Sequence, residues 1–144
     1  PRLSVLIPCF NEAQRIGDTI PEVTRYLASL PYASELVLID DGSSDATWSI
    51  IEAATRTTNP VVRAIRQPHN GGKGKALAAG VAAAEGDVVL FFDADLSYPL
   101  AHVDEAVQAI ASGFDVVAGA VVIRARSQAR ARSGRRPPRL LVLA

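Results

Sequence analysis

The chain has 144 residues and 49% of them are hydrophobic, which is enough apolar material for one globular domain with its own core. Its single cysteine, Cys9, excludes an internal disulfide and favours a reducing compartment, and no apolar run approaches the ~18–20 residues of a membrane-spanning helix. The formal net charge is zero, but residues 1–115 carry all 15 acids and 8 of the 15 Lys and Arg, whereas residues 116–144 carry 7 Arg and no acid. A basic tail therefore follows an acidic body.

Strands and helices are predicted to alternate along the chain. Apolar runs predict strands at 3–7, 35–39, 61–65, 87–92 and 116–118. Between them, helices are predicted at 12–30, 45–57, 73–85 and 99–111, with Asp45 as a cap and Gly86 at the C′ position of the third helix. Gly80, among alanines, would let that third helix pack close to the sheet. The alternation predicts an α/β domain in which a mostly parallel sheet carries helices on both faces.

Two carboxylates, Asp93 and Asp95, follow the apolar run 88–92. Open parallel sheets bind ligands at the carboxyl ends of their strands, where these acids would lie. Residues i and i+2 of an extended segment share a face, so we expect both carboxylates to point the same way. Such a pair repels itself without a cation, and Mg2+ or Mn2+ that also holds a substrate phosphate fits it. The alternative is a strand end followed by a helix-capping acid.

A second acidic pair, Asp40 and Asp41, ends the second predicted strand and points to the same crevice. Adjacent strand residues face opposite ways, so the two acids should have different roles. The alternative to a functional role is that Asp40 caps the turn at Gly42 and Ser43, which would leave the other acid free to accept hydrogen bonds from a nucleobase or a ribose hydroxyl. The two acidic strand ends together predict a nucleoside diphosphate bound through a metal.

The segment 70–75, Asn-Gly-Gly-Lys-Gly-Lys, is similar to a phosphate loop but fits neither regular motif. A Walker A motif would need Gly at His69 and a hydroxyl residue at Ala76, and a G-x-G-x-x-G motif counted from Gly72 would need Gly at Leu77. A basic turn that opens a helix remains, which is a general anion site. The alternative is a solvated turn with surface lysines.

Cys9 would need a histidine partner to act as a nucleophile. The two histidines, His69 and His102, stand at no recognised spacing from it. We therefore expect Cys9 to be a buried structural residue and His102 to be a surface residue.

In chain order, the strand-end motifs resemble family 2 glycosyltransferases of the GT-A fold, and among them the polyprenyl (dolichyl)-phosphate mannose or glucose synthases. The resemblance covers about residues 3–120. Its motifs are Val-Leu-Ile-Pro-Cys-Phe-Asn-Glu at 5–12, Ile-Asp-Asp-Gly-Ser-Ser-Asp-Ala-Thr at 39–47, Asn-x-Gly-Lys-Gly at 70–74, Glu-Gly-Asp at 85–87 and Asp-Ala-Asp-Leu-Ser-Tyr-Pro at 93–99.

The resemblance implies a role for each matched position. Asp93 and Asp95 would be the catalytic acids that hold Mg2+ or Mn2+ on the donor diphosphate. Asp41 would bind the base or the ribose, and Lys73 would lie near the phosphates. The nucleotide pocket would be lined by Pro8, Phe10 and Glu12.

From residue 98 onward, this sequence departs from the family's pattern. Tyr98 stands where the synthases often have a histidine before proline, and residues 119–123 read Gly-Ala-Val-Val-Ile where the family often has Gly-Ser-Arg. No catalytic role is carried over to Tyr98. In the family, arginines after the fifth strand meet the lipid phosphate, and the same tail would suit an anionic membrane surface. The candidates here are Arg124, Arg126, Arg130 and Arg132.

We therefore expect an inverting, metal-dependent glycosyltransferase that moves a hexose from GDP-mannose or UDP-glucose to an acceptor, with a polyprenyl phosphate as the expected acceptor. It would act at the cytoplasmic face of a membrane and bind no nucleic acid. Residues 1–123 would form the nucleotide-sugar-binding domain. Residues 124–144 would form a basic loop and the start of an acceptor- or membrane-proximal region of a longer protein.

Three alternatives remain open on the sequence. A relative of the same family would act on a polysaccharide or a small-molecule hydroxyl instead of a lipid phosphate. A nucleotidyltransferase also combines an α/β sheet with acidic metal ligands, but its glycine-rich loop after the first strand is missing here. A non-catalytic nucleotide-binding module would use the acids only to cap turns.

Overall fold

The computed structural model describes residues 2–112 and the strand backbones at 116–118, 121–123 and 139–142. Within these residues, strands and helices alternate through the first four strands, as the sequence predicts. The elements are β1 (Leu3–Cys9), α1 (Ile16–Ser29), β2 (Ser34–Asp40), α2 (Thr47–Ala54), β3 (Val61–Arg66), α3 (Lys73–Ala83), β4 (Val88–Phe91), α4 (His102–Ala111), β5 (Val116–Ala118), β6 (Val121–Ile123) and β7 (Arg139–Val142).

The described strands form one sheet in the order β3-β2-β1-β4-β7-β5-β6. All neighbouring pairs are parallel except β5 with β6, so the mostly parallel α/β architecture is confirmed. From β1, the chain adds β2 and β3 on one side and then returns to add β4 on the other side. Such a reversal of strand order opens a crevice at the carboxyl ends of the two strands that flank it, here β1 and β4.

Helices cover both faces of the sheet, as expected for strands that are apolar on both sides. On one face, Val5 and Ile7 of β1 belong to a core that also includes Ile16 of α1, Ile51 of α2 and Val103 of α4. On the other face, Leu6, Val37 and Ile39 pack with Ala76 of α3. The alternation of β1 residues between two cores fixes its register, because a shift by one residue would exchange the two faces.

Two glycines set how closely α3 and its connection approach the sheet. A Cβ atom at Gly80 would lie 2.9 Å from Cδ1 of Ile39 and 3.1 Å from Cδ1 of Leu6, which confirms that this glycine permits close packing. The predicted C′ position of Gly86 is wrong, because α3 already ends at Ala83. Gly86 instead lies against β1, where a Cβ atom would be 2.7 Å from the backbone nitrogen of Ser4.

Several element boundaries differ from the predicted ones. β1 continues through Pro8 to Cys9, whose carbonyl accepts a hydrogen bond from the backbone N–H of Asp41 at 2.8 Å. The first helix begins at Ile16 and not at Glu12, because residues 12–15 form a turn closed on the Glu12 carbonyl. Likewise, α2 ends at Ala54 and α4 begins at His102.

The apolar run near residue 140 was expected to open an acceptor- or membrane-proximal region. Its backbone forms β7, which pairs with β4 on one side and β5 on the other. The sequence did not predict β6 or β7, because a short apolar strand cannot be told from other apolar segments by periodicity. The domain boundary at residue 123 stays a prediction. Among the helices that the structure describes, none has the length and hydropathy needed to cross a bilayer.

Candidate functional site

The candidate site is the crevice at the carboxyl ends of β1, β2 and β4. Because β2 and β4 both flank β1 and run parallel to it, their acidic carboxyl ends lie at the same end of the sheet, as predicted. Two strand spacings of about 4.8 Å separate β2 from β4, so the two tips are on the order of 10 Å apart. The loop 67–72, between β3 and α3, reaches the same end.

Asp40, at the end of β2, has a fully buried side chain. Its Oδ1 accepts a hydrogen bond from the backbone N–H of Ser43 at 3.1 Å, so the predicted turn cap is confirmed. Nε of Arg66 lies 3.3 Å from Oδ2, close enough for ion pairing but without hydrogen-bond geometry. The guanidinium of Arg66 also lies over the Trp48 ring, 5.3 Å from its centroid. This cation balances a charge that burial would otherwise destabilise.

Asp41 is also buried, and it ties β2 to the loop before α3. Its Oδ1 accepts the backbone N–H of Gly71 at 2.9 Å, and its Oδ2 accepts the N–H of Gly72 at 2.8 Å. The sequence did not predict these two backbone partners, and the role of Asp41 at a base or ribose stays a prediction. A carboxylate has about four lone-pair sites, so two remain for further donors. Asp40 and Asp41 do have separate partners, as their adjacent positions predict.

The turn after Asp41 and the loop 67–72 pack backbone against backbone. Gly42 has φ +73°, and a Cβ atom there would lie 2.6 Å from the carbonyl carbon of His69 and 2.7 Å from the nitrogen of Asn70. Only glycine combines this conformation with this approach. An open depression of about 380 Å³ lies beside the contact, lined by Gly42, Ser43, Arg66, Gln67 and Pro68. Arg66 and Gln67 were not singled out on the sequence, because they belong to no motif.

Lys73 is the first residue of α3, and its Nζ lies 2.5 Å from Oδ1 of Asp93. The side chains are 49% and 42% exposed, respectively. The predicted phosphate-binding lysine and one predicted metal-binding acid therefore form an ion pair across the crevice. An ion pair this exposed contributes only about 0–1 kcal/mol to folding, so both groups can exchange partners readily.

The backbone around Asp95 is a turn and not an extended strand. β4 ends at Phe91, and the N–H of Leu96, a residue with φ +49°, donates to the carbonyl of Asp93 at 3.0 Å. The sequence analysis expected residues 93–95 to be extended, with both carboxylates on one face, and the extended backbone is wrong. Asp95 is exposed, and hydrogen bonds from the hydroxyl and N–H of Ser97 hold its pKa below the usual value, with a smaller effect from Arg15.

The acids of this turn offer a metal only part of a coordination shell. Among the residues that the structure describes, no group of three or more His, Cys, Asp and Glu side chains gathers at one point. Mg2+ usually takes one or two carboxylates and completes its shell with water and substrate phosphate. Asp93 and Asp95 therefore fit a metal that is shared with a bound diphosphate. Whether both acids bind one ion stays a prediction.

The loop after β1 is held by the loop after β2. The N–H of Asn11, a residue with φ +54°, donates to Oγ of Ser43 at 2.9 Å, and the N–H of Glu12 donates to Oγ1 of Thr47 at 2.8 Å. Phe10 is 44% exposed at the carboxyl end of β1, whereas Pro8 and Glu12 are partly buried. Of the three predicted pocket residues, Pro8 thus lies in β1, and Phe10 and Glu12 lie on the loop that follows it.

Asp45 fastens the same two loops and precedes α2. Its Oδ1 accepts the N–H of Thr47 at 2.9 Å, but the predicted cap is displaced by one residue, because Ala46 is the N-cap of α2 and has no side-chain capping bond. Its Oδ2 accepts the N–H of Ala13 at 3.2 Å. The hydrogen bonds from Thr47 hold the pKa of this exposed carboxyl below its usual value.

Cys9 does not have the environment of a nucleophile. It is buried, and burial raises the pKa of its thiol to about 12, with smaller contributions from Glu12 and Asp40. The prediction of a structural cysteine is confirmed. His102 lies on α4, partly exposed, with Nδ1 3.1 Å from Oε2 of Glu105, as expected of a surface histidine.

The four candidate arginines of the tail lie outside the described residues, so their role at a lipid phosphate stays a prediction. They are Arg124, Arg126, Arg130 and Arg132.

Comparison with known sequences establishes the family to which the chain belongs. The family model described as Glycosyl transferase family 2 matches residues 4–142. The undecaprenyl-phosphate 4-deoxy-4-formamido-L-arabinose transferase of Pseudomonas fluorescens (strain SBW25) is 34% identical over 116 residues, which are 81% of this chain and 34% of that protein. The protein of the same name from Salmonella choleraesuis (strain SC-B67) is also 34% identical, over 81% of this chain and 36% of its own length. The chain thus spans about a third of these relatives.

Comparison with solved structures identifies the fold. The mannosyltransferase PcManGT from Pyrobaculum calidifontis, solved with GDP-Man and Mn2+, has a TM-score of 0.72 and 26% identity, over 84% of this chain and 35% of its own. TarS from S. aureus, residues 1–349, has a TM-score of 0.67 and 25% identity, over 90% of this chain and 39% of its own. These likenesses confirm the GT-A fold expected from the motifs.

Proposed function

Because this chain belongs to glycosyl transferase family 2, we propose that the described residues form the donor-binding part of a glycosyltransferase that moves a sugar from a nucleoside diphosphate to a polyprenyl phosphate. The observation that carries the proposal is the contact between Lys73 and Asp93 at the point where strand order reverses. A cation and an acid at that point can serve the two needs of a metal-bound diphosphate, which are phosphate contact and metal coordination.

Asp93 and Asp95 would hold the metal, and Lys73 would turn from Asp93 to the phosphates when a nucleotide arrives. A bound Mg2+ or Mn2+ would act as a Lewis acid on the diphosphate oxygens. The Lys73 ammonium would add a second positive charge where negative charge grows on the leaving group, which is electrostatic stabilisation of the transition state.

The reaction would be a single displacement with inversion. An acceptor oxygen would attack the anomeric carbon from the face opposite the diphosphate, and the bond from that carbon to the diphosphate oxygen would break. The leaving nucleoside diphosphate would keep the electron pair. A lipid phosphate is already ionised at neutral pH, so it would need little help from a general base, whereas a sugar hydroxyl would need one.

The nucleoside would extend from the phosphates toward the ends of β2 and β3. The depression of about 380 Å³ beside Gly42 and Ser43 has a volume within the usual range of about 300–1,000 Å³ for ligand sites. Asp41 would contact the base or ribose through its remaining lone pairs. The walls would come from Pro8 at the end of β1 and from Phe10 and Glu12 on the loop after it.

The acceptor and donor are proposed from the relatives and the motifs. The names of the Pseudomonas and Salmonella relatives join undecaprenyl phosphate to a sugar transferase, which supports a polyprenyl phosphate acceptor and association with a membrane. The cytoplasmic face stays an expectation from the sequence. The motifs favour GDP-mannose or UDP-glucose as donor, and the names of the relatives add a nucleotide-linked 4-deoxy-4-formamido-L-arabinose to the candidates. The arginines after residue 123 would meet the lipid phosphate or the membrane surface.

Calorimetry with UDP and GDP, each with and without Mn2+, tests the donor site. We expect one nucleotide to bind with Mn2+ and to lose most of its affinity without it. Asp95→Asn should abolish the metal-dependent binding and leave the fold intact. Asp87→Asn is the matched control, because Asp87 is an exposed acid at the opposite end of β4. Nucleotide binding that Asp95→Asn leaves unchanged would refute the assignment.

Transfer itself is tested with a panel of radiolabelled nucleotide sugars and a short polyprenyl phosphate. We expect label in the lipid phase with one donor, with the anomeric configuration inverted. Label on a soluble sugar hydroxyl instead would favour the relative that acts on polysaccharides or small molecules. Metal-dependent binding with no transfer to any acceptor would favour a non-catalytic module.

A further inference from the structure

The turn that carries Asp93 and Asp95 is fastened to α1 by one side chain. Oγ1 of Thr19 lies 2.6 Å from the carbonyl oxygen of Ala94, the residue between the two acids. The same hydroxyl lies 3.2 Å from the carbonyl of Arg15 in its own helix. A hydroxyl has one proton to donate, and the shorter distance indicates that it goes to Ala94.

This cross-element bond departs from the usual behaviour of threonine in a helix, where the hydroxyl donates back to the carbonyl four residues earlier. Thr24, five residues further along α1, behaves in that usual way, because its Oγ1 donates to the carbonyl of Ile20 at 2.8 Å. Thr19 and Ala94 are 6% and 5% exposed, so water cannot easily replace the hydroxyl as the donor to this carbonyl.

We propose that Thr19 is a positioning residue for metal and diphosphate binding, which it serves by setting the orientation of the Asp93–Asp95 turn. The inference rests on the proposed function, in which these two acids hold the metal. Thr19 would touch neither metal nor substrate, because its side chain is buried against the Ala94 carbonyl. It acts through the Ala94 carbonyl, whose position determines how the backbone presents the carboxylates on either side.

Backbone hydrogen bonds hold the two ends of the turn, and Thr19 holds the peptide between them. The N–H of Phe92 donates to the carbonyl of Leu6, which anchors the turn to β1, and the N–H of Leu96 closes the turn on the carbonyl of Asp93, each at 3.0 Å. Leu96 has φ +49°, a conformation that a non-glycine residue keeps only where its surroundings hold it. Without the Thr19 hydroxyl, the Ala94 carbonyl would lose its hydrogen bond to α1, and the orientation of this peptide and of the carboxylates on either side would be less well fixed.

Supporting residues of this kind have measurable effects on metal sites. Removal of a partner that orients a metal ligand typically lowers metal affinity by about 10–100-fold. An anchor that only stabilised the fold would instead lower the midpoint of unfolding without changing the affinity of the folded fraction. The two roles therefore separate when affinity and stability are measured on the same variants.

The experiment compares Thr19→Val, Thr19→Ser and Thr24→Val. Valine has the shape of threonine without the hydroxyl, serine restores the hydroxyl, and Thr24→Val controls for loss of a hydroxyl on the same helix. Mn2+-dependent binding of UDP and GDP is measured by calorimetry. Exchange of the Leu96 amide and urea unfolding are measured on the same ligand-free samples. We expect about 10-fold weaker Mn2+-dependent binding for Thr19→Val, near-normal binding for Thr19→Ser and no change for Thr24→Val.

The ligand-free measurement keeps the inference distinct from the proposed function. Thr19→Val should speed exchange of the Leu96 amide, while Thr24→Val should not. Unchanged affinity in Thr19→Val, or equal weakening in Thr24→Val, would overturn the positioning role. If the unsubstituted protein binds neither nucleotide with Mn2+, the proposed function fails and the metal-related role of Thr19 fails with it. Faster Leu96 exchange in Thr19→Val would then support only the anchoring of the turn.

Discussion

Substitution of three glycines near the crevice tests how closely its loops approach each other, through the free energy of unfolding of each variant. Gly42 combines φ +73° with backbone atoms 2.6–2.7 Å from a Cβ position. Gly72 has φ +88° but nothing within 4 Å of that position, and Gly74 has neither a positive φ nor a contact within 4 Å. Alanine at Gly42 therefore adds both backbone strain and a steric clash. Alanine at Gly72 adds backbone strain alone, and alanine at Gly74 adds neither.

The expected changes in the free energy of unfolding follow from these differences. Gly72→Ala should destabilise the protein by about 1–3 kcal/mol, because φ +88° with ψ 157° is a backbone conformation that is essentially restricted to glycine. Gly42→Ala adds a clash that must separate the two turns and stretch both hydrogen bonds of Asp41, and hydrogen bonds to a charged group contribute about 1.5–3 kcal/mol each. We therefore expect a loss of about 3–5 kcal/mol for Gly42→Ala. Gly74→Ala should stabilise by up to ~1 kcal/mol, because alanine favours the helix.

Urea unfolding of the three variants, followed by circular dichroism, measures these values, provided that the slopes with denaturant remain equal. If Gly42→Ala and Gly72→Ala lose the same free energy, the close approach of the turn to His69 and Asn70 does not exist in solution. The clamp of Asp41 on the loop before α3 would then be in doubt as well. A destabilised Gly74→Ala would contradict the helical start of α3.

Three further predictions concern single side chains. Glu35→Gln should lower the free energy of unfolding in urea by about 2–3 kcal/mol. The reason is that Oε1 of this buried carboxylate accepts the Glu85 N–H at 2.7 Å and Oε2 lies 3.3 Å from Nη1 of Arg63. A loss below ~0.5 kcal/mol would contradict this network. Cys9 should stay unmodified by iodoacetamide at pH 8 in the folded protein and react after unfolding, as mass spectrometry would show, because a thiol pKa raised to about 12 leaves almost no thiolate; rapid modification of the folded protein would refute its burial. Lys73→Met should weaken binding of the preferred nucleoside diphosphate about 10-fold in calorimetry and leave binding of the nucleoside unchanged. Lys75→Met is the control. Equal weakening of both ligands would place Lys73 away from the phosphates.

The short-range features of the fold could be predicted from the sequence because they depend on neighbouring residues. The apolar periodicity of α1 and the runs of β1 to β5 predicted these elements, although their ends shifted where a turn replaced a helical start, as at Glu12. Cys9 and Gly80 were assigned correctly from the apolar and alanine-rich segments around them. The order of motifs at the strand ends was sufficient to predict the family and the GT-A fold.

The sequence by itself determined which residues carry charge at the strand ends, and only the tertiary structure decided which of them touch. Asp41 holds Gly71 and Gly72, Lys73 meets Asp93, and Thr19 reaches Ala94, in contacts between residues 20 to 75 positions apart. Such pairings depend on strand order and on the face that each helix covers. No local pattern encodes either, because both result from packing the whole sheet, including the insertion of β7 beside β4.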